Sequence, residues 1–506
     1  MWRRNGRRSS VSDRRLRWFA LVLLALCVGL VAGPPHGANG QALGPLQTDV
    51  SVFGVAGTGG EVPFWLAANR YGTVDPGGTN LGTRLSLSRP FSGAGGLEYA
   101  VGVDVLARAS EHSALTAHEL YGRLRYGQVQ FTAGRREQMV GRVDTSLSLG
   151  STTWSPNAAP PFRIGISSDG YVPVPGTGGG LALKGYFAHG WFEEDRFTRN
   201  ALLHEKYLYV RIFPPEAPVT AHAGIVHHAM WGGTNPLRGP QEVSLRQWAN
   251  VAFGLNILTR SSQTDEETSQ VDANHVGMYD FGVDVDLGGA EGRVYRQFYI
   301  EDAPGLWFRN VWDGLWGVSL QWDESALVSG VLWEHLRMTR QGSRRDLGEA
   351  RGADSYYNHF KYKGGWTYQG RTLGVPLLTP VSETPGLSQG LPGIGNNIVV
   401  AHHLGIEGHL GAGLFYRALG TYSRNYGAKN VCATPACEDT RRSFSDRRDQ
   451  WSVLAEVQGL VPAVDGLSYN AAVAVDTGDF YDERVGVRVG LTWRNMSGAG
   501  GASSSR

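Results

Sequence analysis

Cysteine is scarce. Three occur in 506 residues, and Cys27 lies in an apolar stretch near the N-terminus. The mature chain therefore has room for one disulfide. Cys432 and Cys437 are spaced to close a small loop in an oxidising compartment, with two free thiols as the alternative. Long apolar runs are missing as well. Beyond the N-terminus no segment holds about eighteen unbroken apolar residues, which excludes a transmembrane helix. An excess of one charge is missing too, since the formal net charge is +1.

That balance hides an asymmetry. Arg3, Arg4, Arg7, Arg8, Arg14, Arg15 and Arg17 precede an apolar stretch from Trp18 to Ala32, and small residues follow. This order predicts a signal peptide over residues 1–42, cleaved near Ala38 to Ala42. A membrane anchor is the alternative, but the apolar core is short for a span. Arg14-Arg15 only faintly matches a twin-arginine signal, and Cys27 has no lipobox. Removing seven Arg and Asp13 takes the net charge from +1 to +1 − 6 = −5. That argues against a nucleic-acid partner.

Glycine is abundant, with 70 residues, roughly twice average usage. It is spread through short alternating segments. In "RVGVRVGLTWR", Val485, Val487, Val489, Leu491 and Trp493 share one face, and Gly486, Arg488, Gly490 and Thr492 the other. "GMYDFGVDVDL" sets Tyr279, Phe281, Val283 and Val285 against Asp280, Asp284 and Asp286. "RVYRQFYIE", "LWGVSLQWD", "KYLYVRIF", "EYAVGVDVLAR", "QVQFTAGR", "WSVLAEVQ" and "SYNAAVAVD" behave alike. Period-two alternation is a strand signal. A soluble sandwich also alternates. Here the polar faces carry charge pairs and Gly, while the apolar faces end in Trp or Tyr, as in a membrane barrel. Lipid tolerates no open sheet edge, so the sheet has to close. About sixteen to eighteen such segments predict one all-β, closed antiparallel transmembrane barrel over residues 43–495. Residues 496–506 read as a disordered Gly/Ser tail.

Two stretches break the rhythm. "FWLAANRYG" (Phe64 to Gly72) reads as a short helix stopped by Gly72. "SLRQWANVAFGL" places Leu245, Trp248, Val251 and Leu255 at helical spacing. Both are expected inside or beneath the barrel. Leu377–Pro392 and Ser261–Asn274 read as long loops.

The segments "PFWLAANRYGTV", "LSLGSTTWSPNAAPPFRIGI", "ALLHEKYLYVRI", "GIVHHAMWGGTNP", "DGLWGVSLQW" and "YYNHFKYKGGWTYQGRTLGVPL" occur in this order between Pro63 and Leu377. As an ordered set they resemble the Wzi-type capsule-assembly family of outer-membrane proteins. The resemblance implies an eighteen-stranded barrel in a Gram-negative outer membrane. It also implies a non-enzymatic surface lectin that holds capsular polysaccharide. Better-known members carry a helical region ahead of the barrel that occludes its periplasmic end. Here the strand-like "TDVSVFGVAG" follows soon after the expected cleavage site, so a plug is expected only if the two short helices supply it.

The stretch from Tyr356 to Leu377 mixes rings, glycines and cations. Sugar C–H faces stack on aromatics, and hydroxyls need paired donors and acceptors. Tyr356, Tyr357, Asn358, Trp366, Tyr368 and Arg371 supply that mixture and are the candidate polysaccharide contacts. Lys361, Lys363 and Arg371 would favour an acidic polymer. The competing reading is that these rings line the interface or fill the lumen.

Catalytic signals are weak. "GLSQG" (Gly386 to Gly390) matches G-x-S-x-G but sits in a Pro/Gly-rich loop, whereas a nucleophile elbow needs a strand-to-helix turn. His227 and His228, and likewise His402 and His403, are adjacent, so at most one of each pair points inward. His409 stands apart. Asp476 and Asp479 have no evident partner base, and "GVAGTGGE" lacks the helix that phosphate binding needs. The expectation is no enzyme, no cofactor and no metal. The expected partners are capsular or surface polysaccharide, outer-membrane lipid and the barrel-insertion machinery, with the barrel itself a monomer. A porin-like channel for anionic or sugar solutes is the alternative, and an outer-membrane hydrolase a weaker one.

Overall fold

A computed structural model describes residues 46–495 except 95, 255–272, 302, 343–353, 389, 412, 438 and 445. The expected signal peptide, the tail, and Ser261 to Asp272 of the second loop lie outside the described residues.

Eighteen strands form the wall. They are β1 (Gln47–Gly57), β2 (Asn80–Ala94), β3 (Leu97–Ala109), β4 (Ala114–Tyr126), β5 (Val129–Arg135) and β6 (Phe162–Ser168). Then come β7 (Leu181–Trp191), β8 (Leu202–Ile212), β9 (Val219–Trp231), β10 (Ala273–Asp286), β11 (Glu291–Ile300) and β12 (Gly314–Gln321). The last six are β13 (Gly330–Arg337), β14 (Val399–His409), β15 (Leu414–Asn425), β16 (Arg448–Leu460), β17 (Leu467–Gly478) and β18 (Arg484–Arg494). Each pairs antiparallel with its sequence neighbour, and β1 pairs antiparallel with β18, so no edge remains. A two-residue strand, Val172–Pro173, adds to β7 outside this count.

The faces follow the alternation. On β18, Val485, Val487, Val489, Leu491 and Trp493 are exposed at 48, 48, 59, 51 and 40%. Such a band is affordable only against lipid. The inner face is ionic toward the chain termini, with Arg84–Asp104, Arg293–Asp284, Arg125–Glu98 and Arg417–Glu456 pairs. Glycine's abundance acquires a reason on this inner face. Phe53, Tyr121, Tyr209 and Tyr295 each lie directly opposite a glycine, Gly82, Gly102, Gly224 and Gly317. A Cβ on those glycines would sit 2.0 to 2.4 Å from the facing ring. The rings thus lie flat across neighbouring strands, as in aromatic rescue.

The two ends differ. At the end holding the termini, connections include 127–128, 287–290 and 461–466. At the other end run 58–79, 136–161, 426–447, and the described parts of the connections that follow β9 and β13. Short turns mark the periplasmic side and long loops the extracellular one. In the loop 426–447, Cys432 and Cys437 form a disulfide with Cα atoms 4.9 Å apart. Thiol titration of the mature chain, denatured and unreduced, is expected to find no free cysteine; two would refute the bridge.

The helices depart from expectation. The first is one turn, α1 (Phe64–Ala67), and it does not run to Gly72. Asn69 and Tyr71 have φ of 52° and 51°, because this backbone turns aside to bond the 148–157 segment. Asn69 Nδ2 donates to the Leu149 carbonyl at 2.9 Å, and the Tyr71 amide donates to that of Pro156. α1 does lie in the lumen, where Trp65 Nε1 donates to Thr421 Oγ1 at 3.2 Å. The second, α2 (Leu245–Phe253), is capped by Ser244 and by Gly254 at φ +66°. It is not inside or beneath the barrel. Val251 packs on Ala229, Trp231 and Ala273, which share the outward parity of Ile225 and Phe281. Trp248 Nε1 donates to the outward His189 at 2.8 Å. α2 therefore lies on the outer wall near the extracellular rim.

Candidate functional site

The extracellular half of the lumen is filled by the chain's own loops. Residues 146–153 run along the inner wall. Glu334 of β13 accepts from Ser148 Oγ and the Leu149 amide, both at 2.7 Å. Gln297 of β11 accepts from the Thr152 amide at 2.9 Å. His403 of β14 lies 2.6 Å from the Leu147 carbonyl. Among the described residues the lumen is plugged by the "LSLGSTTWSPNAAPPF" segment, whose small polar residues donate to the inward Glu334 carboxylate and the Gln297 side-chain oxygen.

The segment from Tyr356 to Leu377 packs on top of it. Tyr356, Tyr357 and Trp366 are 0% exposed and Tyr368 1%. Tyr356 Oη donates to Asp313 Oδ2 at 2.8 Å. The Tyr357 hydroxyl donates to the Thr152 carbonyl, and its amide to Glu301 Oε2 at 3.0 Å. Trp366 Nε1 donates to the Thr153 carbonyl at 2.8 Å. Asn358 and Ile394 exchange two bonds, 2.9 and 2.8 Å. Thr367–Tyr368 pairs with Arg371–Thr372 across Gln369 and Gly370. Both turn residues have positive φ, 49° and 79°, as a two-residue type I′ hairpin demands. Arg371 bonds Glu383 at 2.9 Å, Asn157 at 2.7 Å and the Ala67 carbonyl at 3.2 Å. The six candidate contacts are therefore together, but the four rings are shut inside and offer no open face to a sugar. The lumen-filling reading describes them. A cavity of about 50 Å³ beside Arg70, Asp144, Ser146 and Arg417 has room for a few waters, not a sugar ring.

The hairpin tip, Gln369 and Gly370, is exposed, and the first turn, with Asn358 to Lys361 and Lys363, is half-buried. Arg238 lies over the Phe360 ring, 5.0 Å from its centroid, and Lys361 approaches the same ring at 5.9 Å. His359 tilts against Phe360 at 4.6 Å. Lys363 donates to the Cys437 carbonyl at 3.3 Å, which ties the disulfide loop to this turn. Burial, then the neighbouring Arg238, pushes the Lys363 ammonium below its ordinary pKa. Cations thus converge around one half-buried ring at the extracellular cap. The sequence carried Lys361 and Lys363 as charge candidates. It gave no signal for Phe360 or Arg238, because 238 and 360 lie in different loops.

The remaining motifs resolve by geometry. Gly386–Gly390 lies between a 3-10 turn, Val381–Glu383, and the short strand Ile394–Asn396, so it is no strand-to-helix elbow. His228 and His403 face in while His227 and His402 face out, as adjacent strand residues must. Among the described residues no group of three or more metal-ligating side chains forms.

The profile of a family described as Capsule assembly protein Wzi matches residues 65–377. No curated protein matches the chain. Among solved structures, the chain is similar to Wzi of Escherichia coli, described as an outer-membrane, carbohydrate-binding β-barrel involved in group 1 capsule assembly. That match has 14% identity and a TM-score of 0.53, covering 88% of this chain and 83% of that one. OpdO of Pseudomonas aeruginosa matches at 12% identity and TM-score 0.43, covering 89% and 96%. An anion-selective porin of Comamonas acidovorans matches at 10% and 0.37, covering 89% and 99%. The likeness to the Escherichia coli structure speaks for the barrel fold alone. With the family profile spanning more than half its length, this chain belongs to the Wzi capsule-assembly family.

Proposed function

We propose that this barrel holds an acidic capsular or surface polysaccharide at the cell surface, as a non-catalytic lectin, through its extracellular cap. The observation that supports this most is the pairing of a filled lumen with a cationic, aromatic outer turn at Arg238, Phe360, Lys361 and Lys363. A ring flanked by cations suits a polymer that presents sugar faces and carboxylates. The buried Tyr356, Tyr357, Asn358, Trp366, Tyr368 and Arg371 contribute on this reading by fixing the turn rigidly.

The test is the triple variant Arg238→Ala, Phe360→Ala, Lys363→Ala. Loss of the ring is worth about 1 kcal/mol, and each exposed cation about 0.2–1 kcal/mol. Capsule retention on cells is expected to fall about tenfold, while gel heat-modifiability shows a folded barrel. Full retention on a folded triple variant would move the site elsewhere.

A further inference from the structure

The outer wall holds a second cluster that polysaccharide retention does not use. On β13, Leu332, Glu334 and Leu336 are buried inward, while Trp333, His335 and Arg337 face out. Register aligns Arg337 with Val400 and Val400 with Arg424. The next row is His335, His402 and Tyr422, and the row below it Trp333, Leu404 and Gly420. Two guanidinium groups therefore spring from strands on either side of β14, about 10 Å apart at their Cα atoms. Beneath them the His335 and His402 rings lie 4.5 Å apart, and Trp333 stacks with both at 6.4 and 6.2 Å.

This patch sits at the strand ends nearest the long loops, on the lipid side. Outward cations are costly in hydrocarbon and are tolerated near the interface, where anions meet them. The carboxylates of these three strands, Glu334 and Glu407, point inward and bond Ser148 and Ser146. The outward acid across from Arg424 is Asp449. It is engaged by Arg447 Nε at 2.6 Å and Tyr422 Oη at 3.0 Å, and it is shared electrostatically with Arg424. Of the patch itself, His335 Nδ1 bonds the Ala401 carbonyl at 3.1 Å, and Arg337 Nε donates to Thr339 Oγ1 at 3.0 Å.

We propose that the outer wall of β13, β14 and β15 binds the phosphates of an outer-leaflet glycolipid of the lipid A class. Arg337 and Arg424 grip phosphate, His335 and His402 flank it, and Trp333 and Leu404 lie along the acyl chains. Guanidinium groups suit phosphate by forked hydrogen bonding. A soluble polymer is the poorer fit, because the patch faces sideways into the bilayer and its lower row is apolar.

The probe is bisphosphorylated lipid A added to the detergent-solubilised barrel, read by native mass spectrometry. Wild-type barrel is expected to retain lipid A, and Arg337→Gln with Arg424→Gln to retain at least tenfold less. Dephosphorylated lipid A is expected to bind wild type as weakly as the double variant binds lipid A. Arg424→Gln alone is expected to lose several-fold, and it serves where the double variant does not fold. Equal retention in folded variants, or binding indifferent to phosphate, would overturn the proposal. So would displacement of lipid A by a soluble acidic polysaccharide.

Discussion

Replacing Glu334 by Ala is expected to turn a nearly silent barrel into a conducting one and to lower its unfolding temperature. Glu334 is 0% exposed and holds the plug through Ser148 and Leu149, with the Tyr295 phenol as a third donor. Alanine leaves a buried hydroxyl, phenol and amide without their acceptor. Each buried donor left without its acceptor costs about 1–3 kcal/mol. Because they share one acceptor, their sum is not additive, and about 3–5 kcal/mol of docking energy is the expected loss. Gln297 and His403 still hold the flanks of the segment, so undocking should be local and the wall should stay closed. Planar-bilayer recording is expected to show rare, brief openings for wild type and frequent ones for Glu334→Ala. Glu334→Gln, which keeps an acceptor, should fall between. Equal and frequent conductance in wild type and variant would favour the channel reading over the filled lumen.

The wall was legible in the sequence because lipid imposes a strict period. Val485 to Trp493 alternate without interruption, and each such segment became a strand. The plug was not legible. "LSLGSTTWSP" has neither helical nor strand period, and its place is set by Gln297, Glu334 and His403, which are distant in sequence. The same blindness affected the helices. Leu245, Trp248 and Val251 correctly marked α2, but the pattern says that one face is covered, not by what. That the cover is the outer wall depends on the outward parity of Ala229, Trp231 and Ala273. The aromatic segment at 356–371 was recognised as unusual for a sound reason, since rings beside cations need a special environment. Its rings found that environment in the lumen, where the Tyr356 and Tyr357 phenols and the Trp366 indole each have a partner. The half-buried ring at the cap was Phe360, which carries no polar handle to mark it.

Arg371→Ala is expected to loosen the whole lumen packing and to release capsule only as a consequence. One guanidinium joins three loops: Glu383 in its own, Asn157 in the second and the Ala67 carbonyl at the end of α1. Burial already pushes the Glu383 carboxyl above its ordinary pKa, with Arg371 opposing that rise. Removing the cation leaves a largely buried carboxylate uncompensated, which costs about 3–5 kcal/mol. Arg371→Lys should recover little, because a single ammonium cannot span three acceptors as a forked guanidinium does. The readout that separates a clamp from a sugar contact is order. A clamp predicts that α1 and the 148–157 segment become accessible to limited proteolysis in the purified variant, with no polysaccharide present. A direct contact predicts an unchanged proteolysis pattern and weaker binding. The triple cap variant at Arg238, Phe360 and Lys363 should do the reverse of the clamp, keeping protease resistance while losing capsule. If Arg371→Ala keeps both protease resistance and thermal stability yet sheds capsule, Arg371 reaches the polymer after all and the cap is not the binding surface.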